Sequence, residues 1–362
     1  MKRFFKQILL AACCLLAGGL LTGCDEDSDV NVSDFVPGRE GAYVVNQGNF
    51  YGGVTGTMSY LNFADGSVTG NAFFNANSQH LGDTPQAPVR YGSKIYIPVF
   101  ESQKLAVLDA ATLSLLKMVD VAHPEAVCGS GRYVYVASND GHVTRVDTLL
   151  YDTSDPLPVG PNPAGITAAG GQLYVSISDG YNYANNYANG LRVAMVNEAT
   201  FTKTGDIPVG LNPGQVQADM AGNVFVLCRG NYADVTPKVM RIAAGSTSAA
   251  DFCEGSLMAV SYNTLYVADV KADYATNTAA VTMKAFDSRQ SEAHELQDFA
   301  MSQLPAMPQA IDVNPLNGDL IVCSDKGPLD YDKEGLVYQY SATGTLKATY
   351  NVGIHPFGVA FK

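Results

Sequence analysis

Histidine is scarce in this chain, so its five positions are the first places to look for catalytic chemistry. They are His80, His123, His142, His294 and His355. Spacing alone assembles no Ser/His/Asp set, and the sequence contains no G-x-S-x-G, H-E-x-x-H, Walker or dinucleotide-binding motif. His123 and His355 both precede proline in equivalent contexts, and such a pair could ligate a metal ion. The alternative, which we favour, is that each is a hydrogen-bonded loop histidine.

A second group with chemical potential is a set of loops rich in tyrosine, asparagine and glycine. They cover residues 46–53, 100–103, 139–142, 179–189, 229–234, 269–274 and 325–332. Tyrosine supplies rigid amphipathic contact area at low entropic cost, and asparagine supplies adaptable donors and acceptors. The composition favours binding of a large, flat ligand that carries amide or hydroxyl groups. The alternative is a set of ordinary polar surface loops whose tyrosines pack on neighbouring strands.

Several side chains in these loops, or in turns near them, are candidates for ligand contact. They are Asn49, Phe50, Tyr51, Phe100, His123, Asn162, Tyr181, Tyr183, Tyr187, Asn212, Arg229, Tyr232, Tyr274, Tyr331 and His355. Asp330, Asp332 and Glu334 resemble the start of a calcium loop, but the twelfth position is Ser341, where an EF-hand needs glutamate. We therefore expect an acidic rim loop there, and no metal or cofactor.

A short apolar strand recurs seven times and must position these loops. It occurs at residues 43–45, 95–97, 134–136, 173–175, 224–226, 265–267 and 320–322. The spacing of about 40 to 55 residues fits four-stranded propeller blades with inserted loops. A Pro-led turn and strand precede most repeats, as at Pro88, Pro124 and Pro163, and a tight Gly/Asn turn joins the two strands. No later stretch shows a convincing helical period, so the sequence predicts an all-β, seven-bladed β-propeller.

The two ends of the repeat region complement each other. The first repeat has its second strand at 43–47 but no Pro-led strand before it, whereas 355–361 has the Pro-led signature with no repeat after it. Pairing of these two segments would close the ring and remove its free edges. The Tyr/Asn loops and the turns before the innermost strands would then share one face, and the turns on the opposite face stay short. Gln86, His123, Asn162, Asn212, Met307 and His355 would ring the mouth of the central channel.

Charge and cysteine usage narrow the classes of partner. The net charge is −13, and loss of Lys2, Arg3 and Lys6 with a signal peptide would make it −16. A phosphate backbone requires a basic surface, so we expect no nucleic-acid binding; a neutral, cationic or metal-bearing partner fits better.

The cysteines of the repeat region show no zinc-binding spacing. Cys228 and Cys323 lie in apolar strand patterns where cysteine behaves as a small buried residue, and Cys128 and Cys253 complete the set. A Cys228–Cys253 disulfide is the alternative in an oxidising compartment.

The first 23 residues have the pattern of a secretory signal: a cationic start and an apolar stretch too short to span a bilayer stably. Leu21-Thr22-Gly23-Cys24 resembles the lipobox of bacterial lipoproteins, in which the cysteine becomes lipidated. The acidic run 25–29 resembles the surface-export tether of Bacteroides-type lipoproteins; a simple flexible linker is the alternative. We expect a signal peptide at 1–23, a lipidated tether at 24–38 and the propeller at 39–362.

The repeated P-x-x-(I/V)…G-x-(L/V)-Y-V…D units resemble the YVTN/YncE-like seven-bladed propellers of bacterial surface proteins. With an anchor at Cys24, the chain is similar to surface lipoproteins that capture cobalamin for a TonB-dependent outer-membrane receptor. The resemblance implies a non-enzymatic protein on the outer membrane that faces the exterior, binds a corrinoid and hands it to the receptor. The alternatives are a propeller enzyme, of lactonase or quinone-dependent dehydrogenase type, and a glycan- or protein-binding adhesion module.

Overall fold

Seven short apolar segments form the second strands of seven antiparallel sheets, which are the blades of a β-propeller. The structure is a computed structural model that describes residues 37–362. The signal peptide, Cys24 and nearly all of the tether lie outside the described residues. Within the described range, no helix is both long and apolar enough to cross a bilayer.

The first three blades follow the chain from residue 41. Blade 1 contains β1 (Gly41–Asn46), β2 (Thr57–Asn62) and β3 (Val68–Thr69), after which comes a short helix, α1 (Ala72–Asn77). Blade 2 contains β4 (Val89–Tyr91), β5 (Lys94–Val99), β6 (Lys104–Asp109) and β7 (Leu115–Asp120). Blade 3 contains β8 (Pro124–Ser130), β9 (Tyr133–Ser138), β10 (His142–Asp147) and β11 (Leu157–Pro158).

The remaining blades complete the ring. Blade 4 contains β12 (Pro163–Ala169), β13 (Gln172–Ile177), β14 (Arg192–Asn197) and β15 (Thr202–Pro208). Blade 5 contains β16 (Pro213–Ala218), β17 (Val224–Cys228), β18 (Lys238–Ile242) and β19 (Ala249–Glu254). Blade 6 contains β20 (Leu257–Ser261), β21 (Thr264–Asp273) and β22 (Thr278–Asp287). Blade 7 contains β23 (Met307–Val313), β24 (Leu320–Asp325), β25 (Glu334–Tyr340) and β26 (Leu346–Ile354), and β27 (Pro356–Phe361) returns to blade 1.

Closure of the ring occurs as the sequence predicts. β27 pairs antiparallel with β1, with Val359 opposite Val44 and Phe361 opposite Ala42. The innermost strand of blade 1 therefore comes from the C-terminus, and neither end of the sheet series is left with a free inner edge. The predictions of seven blades and of an all-β fold are confirmed.

The core lies between neighbouring blades, because successive side chains of a strand point to opposite faces of its sheet. In β1, Val45 packs in a cluster with Ile97 of blade 2, whereas Val44 packs in a cluster with Val337 of blade 7. All four side chains are fully buried. Each blade is therefore apolar on both faces, which explains why the second strands read as continuous apolar runs.

Some local features differ from the sequence-based expectations. The described chain gives blade 6 three strands, with a single bridge between Phe286 and Glu295 in place of a fourth. The expected loop 269–274 is largely strand, because β21 and β22 extend together as a long hairpin. The connection 148–156 is long although it lies on the face opposite the Tyr/Asn loops, and α1 adds a short helix that no helical period indicated.

The four described cysteines are unpaired, so the alternative of a Cys228–Cys253 disulfide is wrong. Cys228 and Cys323 are buried in β17 and β24, whereas Cys128 and Cys253 are partly exposed, and all four carry free thiols. Burial raises the pKa of the Cys228 thiol to about 12 and that of the Cys253 thiol to about 12, which makes these thiols poor nucleophiles.

Candidate functional site

The innermost strands begin, and the second strands end, on the same face of the propeller, which we call the loop face. Backbone hydrogen bonds show this arrangement in five blades: the residue after the second strand donates its N–H to the carbonyl of the residue before the proline that leads into the innermost strand. The pairs are Gln47 to His355 (2.9 Å), Phe100 to Thr84 (3.1 Å), Asn139 to His123 (2.9 Å), Ser178 to Asn162 (3.1 Å) and Arg229 to Asn212 (3.0 Å). The expectation that the Tyr/Asn loops share a face with these turns is confirmed.

Five residues at this level hold an unusual backbone conformation directly before a proline. Thr84, His123, Asn162, Asn212 and His355 have φ between 39° and 55°, in the left-handed region. Non-glycine residues rarely adopt it, and a following proline restricts the backbone further. The innermost strand then bulges, as at Pro124/Ala126 and Pro163/Gly165. A repeated strained turn thus holds a ring of side chains around the channel mouth.

The structure corrects one member of the predicted ring. In blade 2 the equivalent residue is Thr84 and not Gln86, because Pro85 forms the bridge to Val99 that Pro124 forms to Ser138 in blade 3. Gln86 is instead the residue after the proline, and its side chain is buried. Met307 does occupy the equivalent position in blade 7, opposite Asp325, without the left-handed backbone.

Side chains before the innermost strands reach back to the preceding blade, an arrangement we call the inter-blade clasp. His355 Nδ1 lies 2.8 Å from Asp325 Oδ2 of blade 7. The Asn162 amide donates to both the carbonyl and the side-chain oxygen of Asn139, at 3.0 and 2.7 Å. The His123 ring packs edge-on against Phe100 at 5.5 Å. These predicted candidates therefore join adjacent blades at the mouth.

The most exposed predicted residues are the loop tyrosines. Tyr51 is 96% exposed, and Tyr181, Tyr183, Tyr232, Tyr274 and Tyr331 are also largely exposed. Partial desolvation raises the pKa of Tyr181, and Glu125, Glu101 and Tyr51 raise it further. Those three residues belong to blades 3, 2 and 1, so side chains of four consecutive blades influence the electrostatic environment at this part of the mouth. The exposed tyrosines themselves come from blades 1, 4, 5, 6 and 7, which distributes large aromatic area along the loop face.

An acidic and a basic side chain also influence each other electrostatically at the mouth. Burial raises the pKa of Glu125 to about 7, an effect that Arg229 and a hydrogen bond with Asn139 only partly offset. Arg229 follows β17 of blade 5 and packs directly over Gly214, where a Cβ atom would lie 2.6 Å from the guanidinium carbon. The absence of a side chain at Gly214 thus gives the Arg229 guanidinium its position.

Several other residues predicted to contact a ligand are instead buried or hold the loops in place. Asn49 accepts a hydrogen bond from the Gly52 N–H and caps the 3-10 turn Phe50–Gly52, in which Phe50 is 44% exposed. Tyr187 and Phe100 are buried, and Asn212 is buried with no hydrogen-bond partner for Oδ1 among the described residues. Tyr187 follows the second 3-10 turn, Tyr183–Asn185, and its burial helps to hold the long loop of blade 4.

The weak calcium candidate has other partners. Asp330 accepts a hydrogen bond from Lys333 Nζ at 2.6 Å and another from the Asn277 amide at the tip of the β21–β22 hairpin. Glu334 begins β25 opposite Ile354, and Asp332 is exposed. Within residues 37–362, no group of three metal-ligating side chains is found. The segment is an acidic rim loop tied to blade 6.

Three residues at the mouth were not singled out from the sequence. Glu125 and Gln309 immediately follow the Pro-led turn, at the bulge of their innermost strands, and Asp325 ends a second strand. The signal that could have found them is their register: the residue after each such proline is displaced from the ladder. A polar residue at that repeated position is therefore a site candidate, as a loop tyrosine is.

The other end of the channel contains a cavity of about 540 Å³. It is lined mainly by apolar side chains of the innermost strands, together with Arg90, Gln217 and Asp312. Burial raises the pKa of Asp312 to about 7, and its carboxylate accepts the Val359 N–H at 3.0 Å. The chain joins the propeller at this end, since Pro37 lines the cavity and the Gly38 N–H donates to the Lys362 carbonyl at 2.6 Å.

A comparison with known protein families identifies the family of this propeller. A family model described as Domain of unknown function (DUF5074) matches residues 40–359. The chain belongs to the DUF5074 family. No curated protein matches its sequence.

Solved structures show that this DUF5074 chain shares its fold with distant proteins. A quinonprotein alcohol dehydrogenase-like protein from Bacteroides thetaiotaomicron is 13% identical, with a TM-score of 0.60 over 90% of this chain and 79% of that one. A 6-phosphogluconolactonase-like protein from Bacteroides uniformis is 12% identical, with a TM-score of 0.61 over 90% and 100%. The periplasmic gluconolactonase of Pseudomonas aeruginosa is 13% identical, with a TM-score of 0.58 over 89% and 98%. At these identities the likeness concerns the fold alone.

Proposed function

We propose that this DUF5074 propeller captures a small-molecule nutrient at its loop face, best a corrinoid, and releases it chemically unchanged. The observation that carries the proposal is the set of exposed tyrosines that five blades carry on the face where the polar mouth residues lie. Tyrosine and asparagine suit a flat ligand with peripheral amides, because each combines apolar area with a hydrogen-bonding group. Capture then depends on contacts that exist before the ligand arrives.

The position of the N-terminal connection supports a lipid-anchored role. Pro37 and Gly38 join the propeller at the end of the channel opposite the loop face. The described chain therefore enters the propeller away from the loop face, which is compatible with a lipid anchor on Cys24. We propose that the protein lies on the exterior of the outer membrane and passes its ligand to a TonB-dependent receptor. Mass spectrometry of the membrane form tests the anchor: diacylglyceryl on Cys24 supports it, and an unmodified Cys24 would contradict it.

Isothermal titration calorimetry with the full mature chain tests the ligand class. Cyanocobalamin, ferric haem and soluble oligosaccharides are the probes. We expect saturable heat with cyanocobalamin and none with the oligosaccharides. Heat with an oligosaccharide alone would favour the adhesion alternative, and the absence of heat with any corrinoid overturns the proposal. Incubation with gluconolactone distinguishes the enzyme alternative, because a binding protein leaves its rate of hydrolysis unchanged.

A further inference from the structure

The clasp between blade 7 and blade 1 differs chemically from the other clasps at the mouth. Where blade 4 uses the Asn162 amide and blade 3 packs His123 against Phe100, this clasp sets an imidazole on a carboxylate. The His355 ring is also stacked near Phe357, with centroids 5.8 Å apart and planes inclined by 29°. The ring of His355 is thus fixed by contacts on its edge and on its face.

The carboxylate behind the ring is itself held firmly. The Asp325 side chain is only 2% exposed, and its Oδ2 atom accepts from Gln309 Nε2 at 2.9 Å as well as bonding His355 Nδ1. Among the described residues, Oδ1 has no hydrogen-bond partner. The buried Asp325 carboxylate accepts hydrogen bonds, and His355 is its histidine partner. Their contact therefore favours a ring in which the N–H is on Nδ1. In the neutral ring, the lone pair is then on Nε2.

That state of the ring is the one used by metal-ligating histidines. Such histidines commonly donate the other N–H to a carboxylate, which fixes the tautomer and raises the basicity of the ligating nitrogen. The His355 side chain keeps 18% of its surface exposed, so it is partly accessible although most of it is covered. Neutral imidazole is a suitable ligand for late first-row transition metals.

We propose that His355 Nε2 is the axial ligand to the metal ion of a macrocycle bound on the loop face. The inference rests on the proposed function and adds to it a preference for macrocycles whose axial position is exchangeable. In the binding step the Nε2 lone pair replaces a metal-bound water, which leaves as water, and the oxidation state of the metal does not change. Asp325 is a positioning residue that acts through His355.

Visible spectroscopy and affinity measurements with two corrinoids test this assignment in the full mature chain. Aquocobalamin has an axial water that exchanges, whereas the axial cyanide of cyanocobalamin does not exchange readily. We expect the visible bands of aquocobalamin to shift on binding, while those of cyanocobalamin stay in place. In His355→Asn the shift should disappear and aquocobalamin affinity should fall roughly 10- to 100-fold, a larger loss than that of cyanocobalamin affinity in the same variant.

The variants are chosen to separate coordination from folding. Asparagine already occupies the equivalent positions 162 and 212, so His355→Asn retains a side chain that this turn accepts. His294→Ala alters an exposed histidine after β22 and should leave both spectra and affinities unchanged. Asp325→Asn should keep the spectral shift but weaken aquocobalamin binding, and thermal unfolding by circular dichroism verifies each variant.

The outcomes distinguish this inference from the proposed function. Binding of both corrinoids with no spectral shift, or an identical shift in His355→Asn, overturns the axial-ligand assignment and leaves corrinoid capture intact. Binding of neither corrinoid overturns both. The assignment is supported if the visible bands of aquocobalamin shift in the wild type but not in His355→Asn, and if those of cyanocobalamin do not shift.

Discussion

The same innermost strands form both ends of the central channel, but the two ends differ in the polarity and exposure of their side chains. The loop-face mouth carries exposed tyrosines, the Asp325–His355 clasp, the Glu125 carboxyl group and the Arg229 guanidinium. The other end encloses a largely apolar cavity and receives the chain at Pro37. Most connections at the closed end are short turns, with the connection 148–156 as an exception, whereas the loops at the mouth provide exposed aromatic contact area. The difference is the basis on which we propose that recognition occurs at the mouth.

The largest expected effect concerns closure. Deletion of residues 355–362 removes β27, which exposes the inner edge of β1 and uncovers Val44 and Val45. We expect loss of cooperative thermal unfolding, followed by circular dichroism, and recovery mainly in aggregates. Leu150→Ala, at a 63% exposed position, is the matched control and should unfold like the wild type. A truncated chain that melts cooperatively at the wild-type temperature would contradict the closure argument.

The next effect compares tyrosines on the two faces. Tyr181→Ala removes exposed aromatic area at the mouth and should weaken cyanocobalamin binding by about 2 kcal/mol, or roughly 30-fold. Tyr262→Ala is the matched control, because Tyr262 is also exposed but lies in the β20–β21 turn on the opposite face. Calorimetry on both variants checks the contrast. Equal losses from the two substitutions would remove the distinction between the faces.

A smaller effect concerns the buried carboxylates, one at each end of the channel. Burial raises the pKa of Glu125 from 4.5 to about 7 and that of Asp312 from 3.8 to about 7. The folded protein then holds protons that the unfolded chain releases, so stability falls as pH rises from the unfolded values toward 7. Glu125→Gln and Asp312→Asn should each raise the urea midpoint at pH 8 relative to the wild type.

Urea unfolding of the same variants at low pH is the control. At pH 4 Glu125 is protonated in the wild type, as it largely is in the unfolded chain, so Glu125→Gln should give little advantage. Urea unfolding at pH 4, 6 and 8 measures the trend. A midpoint difference that is independent of pH would show that these carboxyl groups are not held neutral by the fold.

The architecture follows from the sequence because the repeated strands are local and strongly patterned. The seven apolar runs and the Pro-led segment at 355–361 identify the blades and their closure without knowledge of any contact. The Pro-led turn of blade 2 was misplaced because Pro85 and Pro88 both fit the pattern, and the bridge from Pro85 to Val99 decides between them.

The site is less predictable because its properties arise between blades. The environment of Glu125 depends on Arg229 two blades away, and the state of His355 depends on Asp325 in the preceding blade. Tyr187 has the same loop context as Tyr183, yet it is buried while Tyr183 is exposed. Composition therefore predicts which loops share a face, whereas the partners of individual side chains require the folded arrangement.

A crystal structure of the full mature chain with cyanocobalamin tests the central claim most directly. We predict that the macrocycle lies across the loop-face mouth, in contact with Tyr51 and Tyr181 and close to the clasp of His355. The cavity lined by Asp312 at the opposite end should contain no ligand. A macrocycle bound in that cavity, or on the outer edge of a blade away from the tyrosines, would contradict the assignment of recognition to the loop face.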